Sequence, residues 1–190
     1  MKLLCLEPAE LDLSVSEDAL RAQGVELIDS TSVIDYVDER FCFSDGLFDD
    51  LIFIQTNKKL IRAVSRPFAL PSGPAMDRMG IDFLRIDMAT PRMTTSASMT
   101  WARHARSNVV DTTRSQCIAF LQRSPVVLDD QQLQRCSGRG FVLIRHDGHG
   151  LGVGFLESTR NDDARGRIRS MYPRAYSADI ENTTPFGNPS

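Results

Sequence analysis

The sequence contains no hydrophobic run near the roughly 18 residues that a membrane-spanning helix needs. Glu7 and Glu10 follow the first apolar residues too closely for a secretory signal. The four cysteines include no C-x-x-C pair and are too few for a disulfide-stapled scaffold. From these absences we expect a soluble, unprocessed chain in a reducing cytoplasm, with no membrane partner.

Common enzyme motifs are missing as well. There is no G-x-S-x-G nucleophile motif, and the glycine-rich run at 150–154 lies in a predicted strand instead of opening a helix, as a phosphate loop would. His146, Asp147 and His149 are spaced to hold a metal or act as acid and base, but an Asp-Gly turn already explains them and no fourth ligand is evident. We therefore expect no catalytic residue, no metal and no cofactor. A small hydrolase built on these three residues is the weaker alternative.

The composition is that of an ordinary globular protein. Of the 190 residues, 42% are hydrophobic and 25% are charged, which excludes a disordered or fibrous chain. This length suits one mid-sized domain or two small ones.

Charge is distributed unevenly along the chain. Residues 1–60 carry a net charge of -8, whereas residues 61–190 carry +5, and all 17 basic residues of that second part are arginine. Arginine binds phosphate through a planar fork and stacks on bases, so this bias favours a nucleic-acid partner. Arginine-rich codon usage combined with a solvated surface is the alternative.

Hydrophobic periodicity and turn residues predict a helix-rich centre followed by short strands. Ser16 is a candidate N-cap for an early helix, and the proline-rich segment 67–80 is a predicted loop. The other predicted elements are a helix over 32–40, a hairpin over 47–64 turning at Asn57, a strand over 80–88, helices over 94–106, 112–123 and 129–136, and strands over 141–145, 151–157 and 167–171. Such a series indicates a small β-barrel decorated with helices.

Arginines cluster around the predicted C-terminal strands. Arg165, Arg167 and Arg169 share one face of a strand at period two and would form a basic stripe. Further candidate contacts are two arginines beside the preceding hairpin and two tyrosines able to stack on bases: Arg139, Arg145, Tyr172 and Tyr176. The alternative is an edge strand that uses arginine to resist aggregation. The glycines at 150–154 would permit close approach of another strand or of RNA.

The second half also resembles a known family. The order of SNVVDTTRSQCIAFLQRSPVVL, GRGFVLIRHDGHGLGVGFL and IRSMYPRAY is similar to the PUA-like RNA-binding domain at the C-terminus of Sun/nucleolar-protein family rRNA cytosine-5 methyltransferases. The matching positions are Asn108–Asp111, Ala119–Leu121, Gly140–Arg145, Gly148–Gly154 and Ser170–Arg174. VIDYVDERF at 33–41 resembles the segment that precedes this domain, so the likeness spans about residues 33–176.

The chain also departs from that family. It has no Pro-Cys motif, and its 190 residues leave no room for a cofactor-binding methyltransferase domain, so we expect the methylation chemistry to be absent. What remains is similar to a small ribosome-biogenesis factor built from a pre-PUA and a PUA domain.

The resemblance implies an α+β fold. We expect a small N-terminal α/β, pre-PUA-like subdomain over 1–90, with the boundary near residues 88–93. A PUA-like β pseudo-barrel with flanking helices would follow over 91–176, and then a flexible tail over 177–190.

The function implied is non-catalytic RNA binding in ribosome assembly, rRNA modification or a ribosomal particle. The expected partner is structured rRNA or tRNA, not DNA, with a ribosomal protein or an rRNA methyltransferase as a further partner and a ribosome-associated, cytoplasmic location. The expected RNA-binding residues are Arg139, Arg145, His146, His149, Gly150, Arg165, Arg167, Arg169, Tyr172 and Arg174. The alternative is a protein-interaction module that docks a basic partner through Asp35, Asp38, Glu39, Asp45, Asp49 and Asp50.

Overall fold

The computed structural model describes residues 25–66, 79–157 and 166–181. Over these ranges the protein has a mixed α+β fold with two five-stranded sheets, one of which curls into a half-barrel. Among the helices of these ranges, none has the length and apolar character needed to cross a membrane. The predicted helix start at Ser16 and nearly all of the predicted loop over 67–80 lie outside the described residues.

The first sheet is antiparallel throughout and runs in chain order. Its strands are β1 (Glu26–Ile28), β2 (Leu51–Asn57), β3 (Leu60–Ser65), β4 (Ile81–Arg85) and β5 (Arg92–Met93). Helix α1 (Ser30–Phe41) follows β1 and begins where the Asp29 carboxylate accepts hydrogen bonds from the backbone of Thr31 and Ser32. The predicted helix, hairpin and strand of this region are confirmed, and the Asn57 side chain accepts from the Lys59 amide within the hairpin turn.

The second sheet has the order β6-β8-β9-β10-β7. Its strands are β6 (Val109–Asp111), β7 (Val126–Val127), β8 (Gly140–His146), β9 (His149–Leu156) and β10 (Arg167–Ser170), and β6 runs parallel to β8. Helices α3 (Arg114–Leu121) and α4 (Asp130–Gln134) each begin with a capping box, while α5 (Arg174–Glu181) follows β10. The predicted β8–β9–β10 meander is confirmed.

Helix α2 (Thr95–Trp101) lies between the two sheets and continues as a 3-10 turn (Ala102–His104). Ala97, Trp101, Ala102 and Ala105 are buried, as their spacing predicts. The Trp101 ring packs edge-on against Phe83 of β4 with centroids 5.3 Å apart. The core around α2 also includes side chains of β8 and β9, so hydrophobic burial joins the two sheets. The predicted boundary near residues 88–93 covers the connection after β4 and the whole of β5, and these two strands pair in the first sheet.

A second core fills the opposite face of the second sheet. It packs α3 and the residues around α4 against the strands, with Phe120 and Ile168 fully buried. The amides of Gln116 and Gln132 donate to each other across the two helices, and Gln132 also donates to the carbonyl of Asp111. These bonds satisfy polar atoms that would otherwise be costly to bury.

Two expectations about element ends are wrong. The helix predicted over 94–106 stops at Trp101, since Ala105 adopts an extended backbone after the 3-10 turn. Residues 177–181, expected in the flexible tail, belong to α5. The backbone amide of Ser177 donates to the carbonyl of Pro173, so the helix continues into the segment expected to be a tail.

Candidate nucleic-acid interface

Strand β10 presents a basic face. Arg167 and Arg169 are exposed, whereas Ile168 and Ser170, which alternate with them, are buried. The two arginines therefore share one side of the strand, as period two predicts. Arg165, the third member of the predicted stripe, lies outside the described residues.

Phe155 lies beside these arginines on the neighbouring strand. It is the register partner of Arg169, and the guanidinium carbon of Arg169 is 5.5 Å from the centre of its ring. Arg139 approaches the same ring at 5.6 Å, and Phe141 packs edge-on against it at 5.3 Å. The ring therefore lies within cation–π range of two guanidinium groups. We call Arg139, Phe155, Arg167 and Arg169 the arginine face.

Phe155 is absent from the predicted site residues because it reads as an ordinary core residue of an apolar strand. The register between β9 and β10 places Phe155 beside Arg169, and the pairing of β8 with β9 brings Arg139, directly before β8, to the same ring. An arginine on one strand and an aromatic residue on another predict a contact only weakly when the register between the two strands is unknown.

Arg145 has a different environment from Arg139. Its guanidinium contacts both carboxylate oxygens of Asp111, at 2.6 and 2.7 Å, and also donates to the carbonyl of Arg103. This hydrogen bonding holds the pKa of the Asp111 carboxyl below its usual range and raises the pKa of Arg145. The Arg145 side chain is only 15% exposed. Arg145 therefore connects β8 to β6 through its ion pair with Asp111, and it lies near the end of β8 that is far from Arg139.

The two predicted histidines flank the β8–β9 turn. Nδ1 of His146 is 2.7 Å from the carbonyl oxygen of Thr112, and Nε2 is 3.6 Å from a carboxylate oxygen of Asp147. His149, the register partner of His146, is exposed. Asp147 and Gly148 both have positive φ, as the predicted Asp-Gly turn requires. Within the described ranges, no three His, Cys, Asp or Glu side chains are grouped to hold a metal ion.

The RNA contact predicted for Gly150 stays a prediction, and the structure gives this glycine a packing role. Gly150 is buried beneath α2, where an added Cβ would lie 2.9 Å from the carbonyl carbon of Ser98 and 3.0 Å from Cα of Met99, and closer still to the Ser98 carbonyl oxygen. The close approach that this glycine permits is therefore to a helix backbone.

Tyr172 and Arg174 follow β10. The Tyr172 ring packs against Phe120 at 6.0 Å and against Tyr176 at 6.2 Å, and partial burial raises its pKa, with Tyr176 contributing. The backbone carbonyl of Tyr172 accepts from the Arg123 guanidinium. Arg174 and Tyr176 are exposed on the first turn of α5. Of the predicted residues, the structure thus brings Arg139, Arg167 and Arg169 to one face, while Arg145, His146 and His149 lie towards the other end of the β8–β9 hairpin.

A basic cleft that the sequence patterns do not predict lies between the first sheet, α2 and the segment that follows β10. It has a volume of about 960 Å³ and is bordered by the β2–β3 turn, by β4 and β5, by α2 and by the segment from Met171 to Tyr176. Its basic side chains are Lys58, Lys59, Arg85 and Arg92. These residues are scattered over 35 positions, so only the folded sheet collects them.

Comparison of the sequence with models of known protein families and with curated proteins finds no match.

Proposed function

We propose that this is a non-catalytic RNA-binding protein that holds structured rRNA or tRNA through its arginine face. The observation that carries the proposal is the packing of two guanidinium groups around Phe155 on an exposed strand surface. The proposal includes a PUA-like pseudo-barrel as the fold of the second half and a ribosome-associated role in assembly or rRNA modification. The order of the sequence motifs and the curled sheet support that part.

The chemistry of the arginine face suits a phosphate backbone. A guanidinium packed against an aromatic ring keeps its N–H edges free for phosphate oxygens while its side chain loses rotamer freedom. Glu157 is the acidic neighbour, 3.9 Å from Arg169, but Arg169 is 63% exposed and water screens such a pair strongly. A phosphate can therefore compete with Glu157 for this arginine.

The RNA must first be identified. The protein is to be crosslinked in its native cells, purified at low salt, and the attached RNA sequenced. We expect enrichment of one defined rRNA or tRNA segment. Recovery of background RNA only would contradict the proposal.

The double variant Arg167→Ala/Arg169→Ala then tests the arginine face on the recovered segment. We expect weaker binding by fluorescence anisotropy and a plot of log affinity against log salt that is less steep by about 1 to 2, because two phosphate contacts are lost. The melting temperature should fall by less than about 4 °C, since two exposed substitutions of about 0.5 kcal/mol or less each change stability by at most about 1 kcal/mol.

The matched control is Arg103→Ala/Arg114→Ala, which removes the same charge from exposed positions outside the arginine face. Arg114 begins α3, on the opposite side of the second sheet. Equal weakening by both double variants would mean that only net charge matters, and would refute the assigned face. A loss in the free energy of unfolding of the first variant as large as its loss in binding free energy would also refute the assigned face, because the two arginines would then act through the fold.

A second candidate function is docking of a basic protein. The carboxylates that support it are all exposed within residues 35–50, on α1 and the turns that follow: Asp35, Asp38, Glu39, Asp45, Asp49 and Asp50. Recovery of one basic protein in the crosslinking experiment, without specific RNA and with release by salt, would favour this function over RNA binding.

A further inference from the structure

The cleft between the first sheet, α2 and the segment that follows β10, which we call the inter-sheet cleft, has one basic wall. Arg85 and Arg92 are register partners on β4 and β5, and both line the cleft with Lys58 and Lys59 of the β2–β3 turn. One carboxylate, that of Asp82, also lines it, and Arg62 binds this group at 2.9 Å. The wall therefore keeps an excess of positive charge.

Among the basic residues of this wall, Arg92 has a buried nitrogen atom, Nε, that finds no hydrogen-bond partner among the described residues. Arg85 is in a different state, because Asp87 binds its guanidinium at 2.7 and 2.9 Å. Burial lowers the pKa of Arg92 and the charge of Arg85 lowers it further, while the nearby carboxylate of Asp87 raises it in part. An anion in the cleft beside the Arg92 guanidinium would offset the repulsion between the two arginines.

Other side chains that line the cleft are apolar, and one of them is aromatic. Tyr176 is 58% exposed and Met99 is 56% exposed, the two largest values among the exposed large hydrophobic side chains of the described residues. Both line the inter-sheet cleft, together with Met171 and Pro173. Exposed apolar surface concentrated in a concave site is typical of a ligand-binding surface, and a tyrosine ring can stack on a planar base.

We propose that the inter-sheet cleft binds a phosphorylated nucleoside, with the phosphate at Arg92 and the base against Tyr176 and Met99. The cleft is large enough for such a ligand, at about 960 Å³. The ligand is either a free mononucleotide or the phosphorylated end of an RNA strand. This site goes beyond the proposed function, since it uses none of the residues of the arginine face.

The second source has a route on the surface. Arg92 also borders a smaller cleft of about 380 Å³ whose lining includes Arg139 of the arginine face. A strand bound on that face would have a basic path towards the inter-sheet cleft.

The test is calorimetric titration of the full chain with AMP, UMP, adenosine and inorganic phosphate. We expect saturable binding of the mononucleotides, weaker binding of phosphate and none of adenosine. Arg92→Gln should weaken AMP and phosphate binding by about 10-fold or more, because a charge-assisted hydrogen bond is lost. Tyr176→Ala should weaken AMP binding by about 5-fold or more and leave phosphate binding unchanged, because only stacking is removed.

Two further variants provide a second test of the cleft and a control. Lys58→Gln/Lys59→Gln removes two positive charges of the basic wall from an exposed turn. It therefore tests the charge of that wall even if Arg92→Gln folds poorly. Arg114→Gln removes one exposed charge elsewhere and should leave every titration unchanged. Absence of mononucleotide and phosphate binding, equal binding of adenosine and AMP, or equal effects of Arg92→Gln and Arg114→Gln in folded protein would each overturn the proposal.

RNA hexamers with 5′-phosphate or 5′-hydroxyl ends distinguish the two sources. Tighter binding of the 5′-phosphorylated hexamer than of UMP, lost in Arg92→Gln, would assign the cleft to an RNA end. Tighter binding of UMP would assign it to a free nucleotide. The Arg167→Ala/Arg169→Ala variant should bind AMP normally, so loss of the arginine face and loss of the inter-sheet cleft are separate results.

Discussion

Replacing Gly150 by alanine distinguishes a structural glycine from one that admits RNA. The added Cβ would lie 2.9 Å from the carbonyl carbon of Ser98, whereas ordinary van der Waals contacts begin at 3.4 Å, so α2 must move by at least about 0.5 Å. Helix α2 cannot move freely because Ala97 and Trp101 are buried in the core and the Ser98 hydroxyl donates to the Gly152 carbonyl at 2.7 Å.

The expected loss in free energy of unfolding is about 3 kcal/mol. Overpacking of a filled site costs about 1 to 3 kcal/mol, and a weakened Ser98–Gly152 hydrogen bond adds about 1 kcal/mol. Gly148→Ala is the matched control, because nothing lies within 4 Å of its added Cβ and only its φ of +78° opposes a side chain. We expect the control to lose about 1 kcal/mol.

Urea unfolding followed by circular dichroism measures both variants, and their midpoints compare directly if the slopes agree. A loss in Gly150→Ala no larger than that in Gly148→Ala would refute the packing argument. If Gly150→Ala lowered RNA affinity at unchanged stability, the glycine would belong to the RNA surface after all.

Two other predictions concern the polar ties of the second sheet. Asp111→Asn should lose about 1 kcal/mol at pH 7, a modest value because Asp111 is 45% exposed. Since the pKa of Asp111 is lowered by Arg145, its contribution is present above the unfolded-state pKa of about 4 and disappears as the pH falls through the folded-state value. The urea midpoints of the native chain and of Asp111→Asn should therefore approach each other as the pH falls from 7 to 3, and a gap that does not narrow would contradict this. Asp147→Asn, at an 87% exposed carboxylate, should match the native chain throughout. Asn108→Ala should lose about 3 kcal/mol by the same assay, because the buried amide donates to the Arg40 carbonyl at 2.7 Å and accepts from the Ser137 amide at 2.9 Å. Ser107→Ala, which removes only a 3.3 Å contact to that amide, should change stability little, and equal losses would contradict the assignment.

Local patterns were enough for the elements that carry their own signals. The helix predicted over 112–123 is α3, and its start at Thr113 and Gln116 is local in origin, because a capping box needs only four consecutive residues. Asp147 and Gly148 likewise predict the β8–β9 hairpin. Strands β5 and β7, of two residues each, are too short to show a period and exist only through their partners.

The candidate sites required information that is not local. Arg167 and Arg169 share a face because side chains alternate along any strand, so their spacing alone predicts it. The position of Phe155 between Arg139 and Arg169 depends on cross-strand register, and the pairing of Arg145 with Asp111 depends on a parallel strand 34 residues away.

Spacing and turn chemistry within a few residues are enough to predict the α+β class, the main helices and strands, and the basic side of β10. Contacts between distant segments determine which arginines remain available, that Gly150 packs under a helix, and that Lys58, Arg85, Arg92 and Tyr176 border one cleft. The reason is that burial and pairing arise when distant segments are brought together by a shared core, and the spacing of residues within one segment does not specify its neighbours.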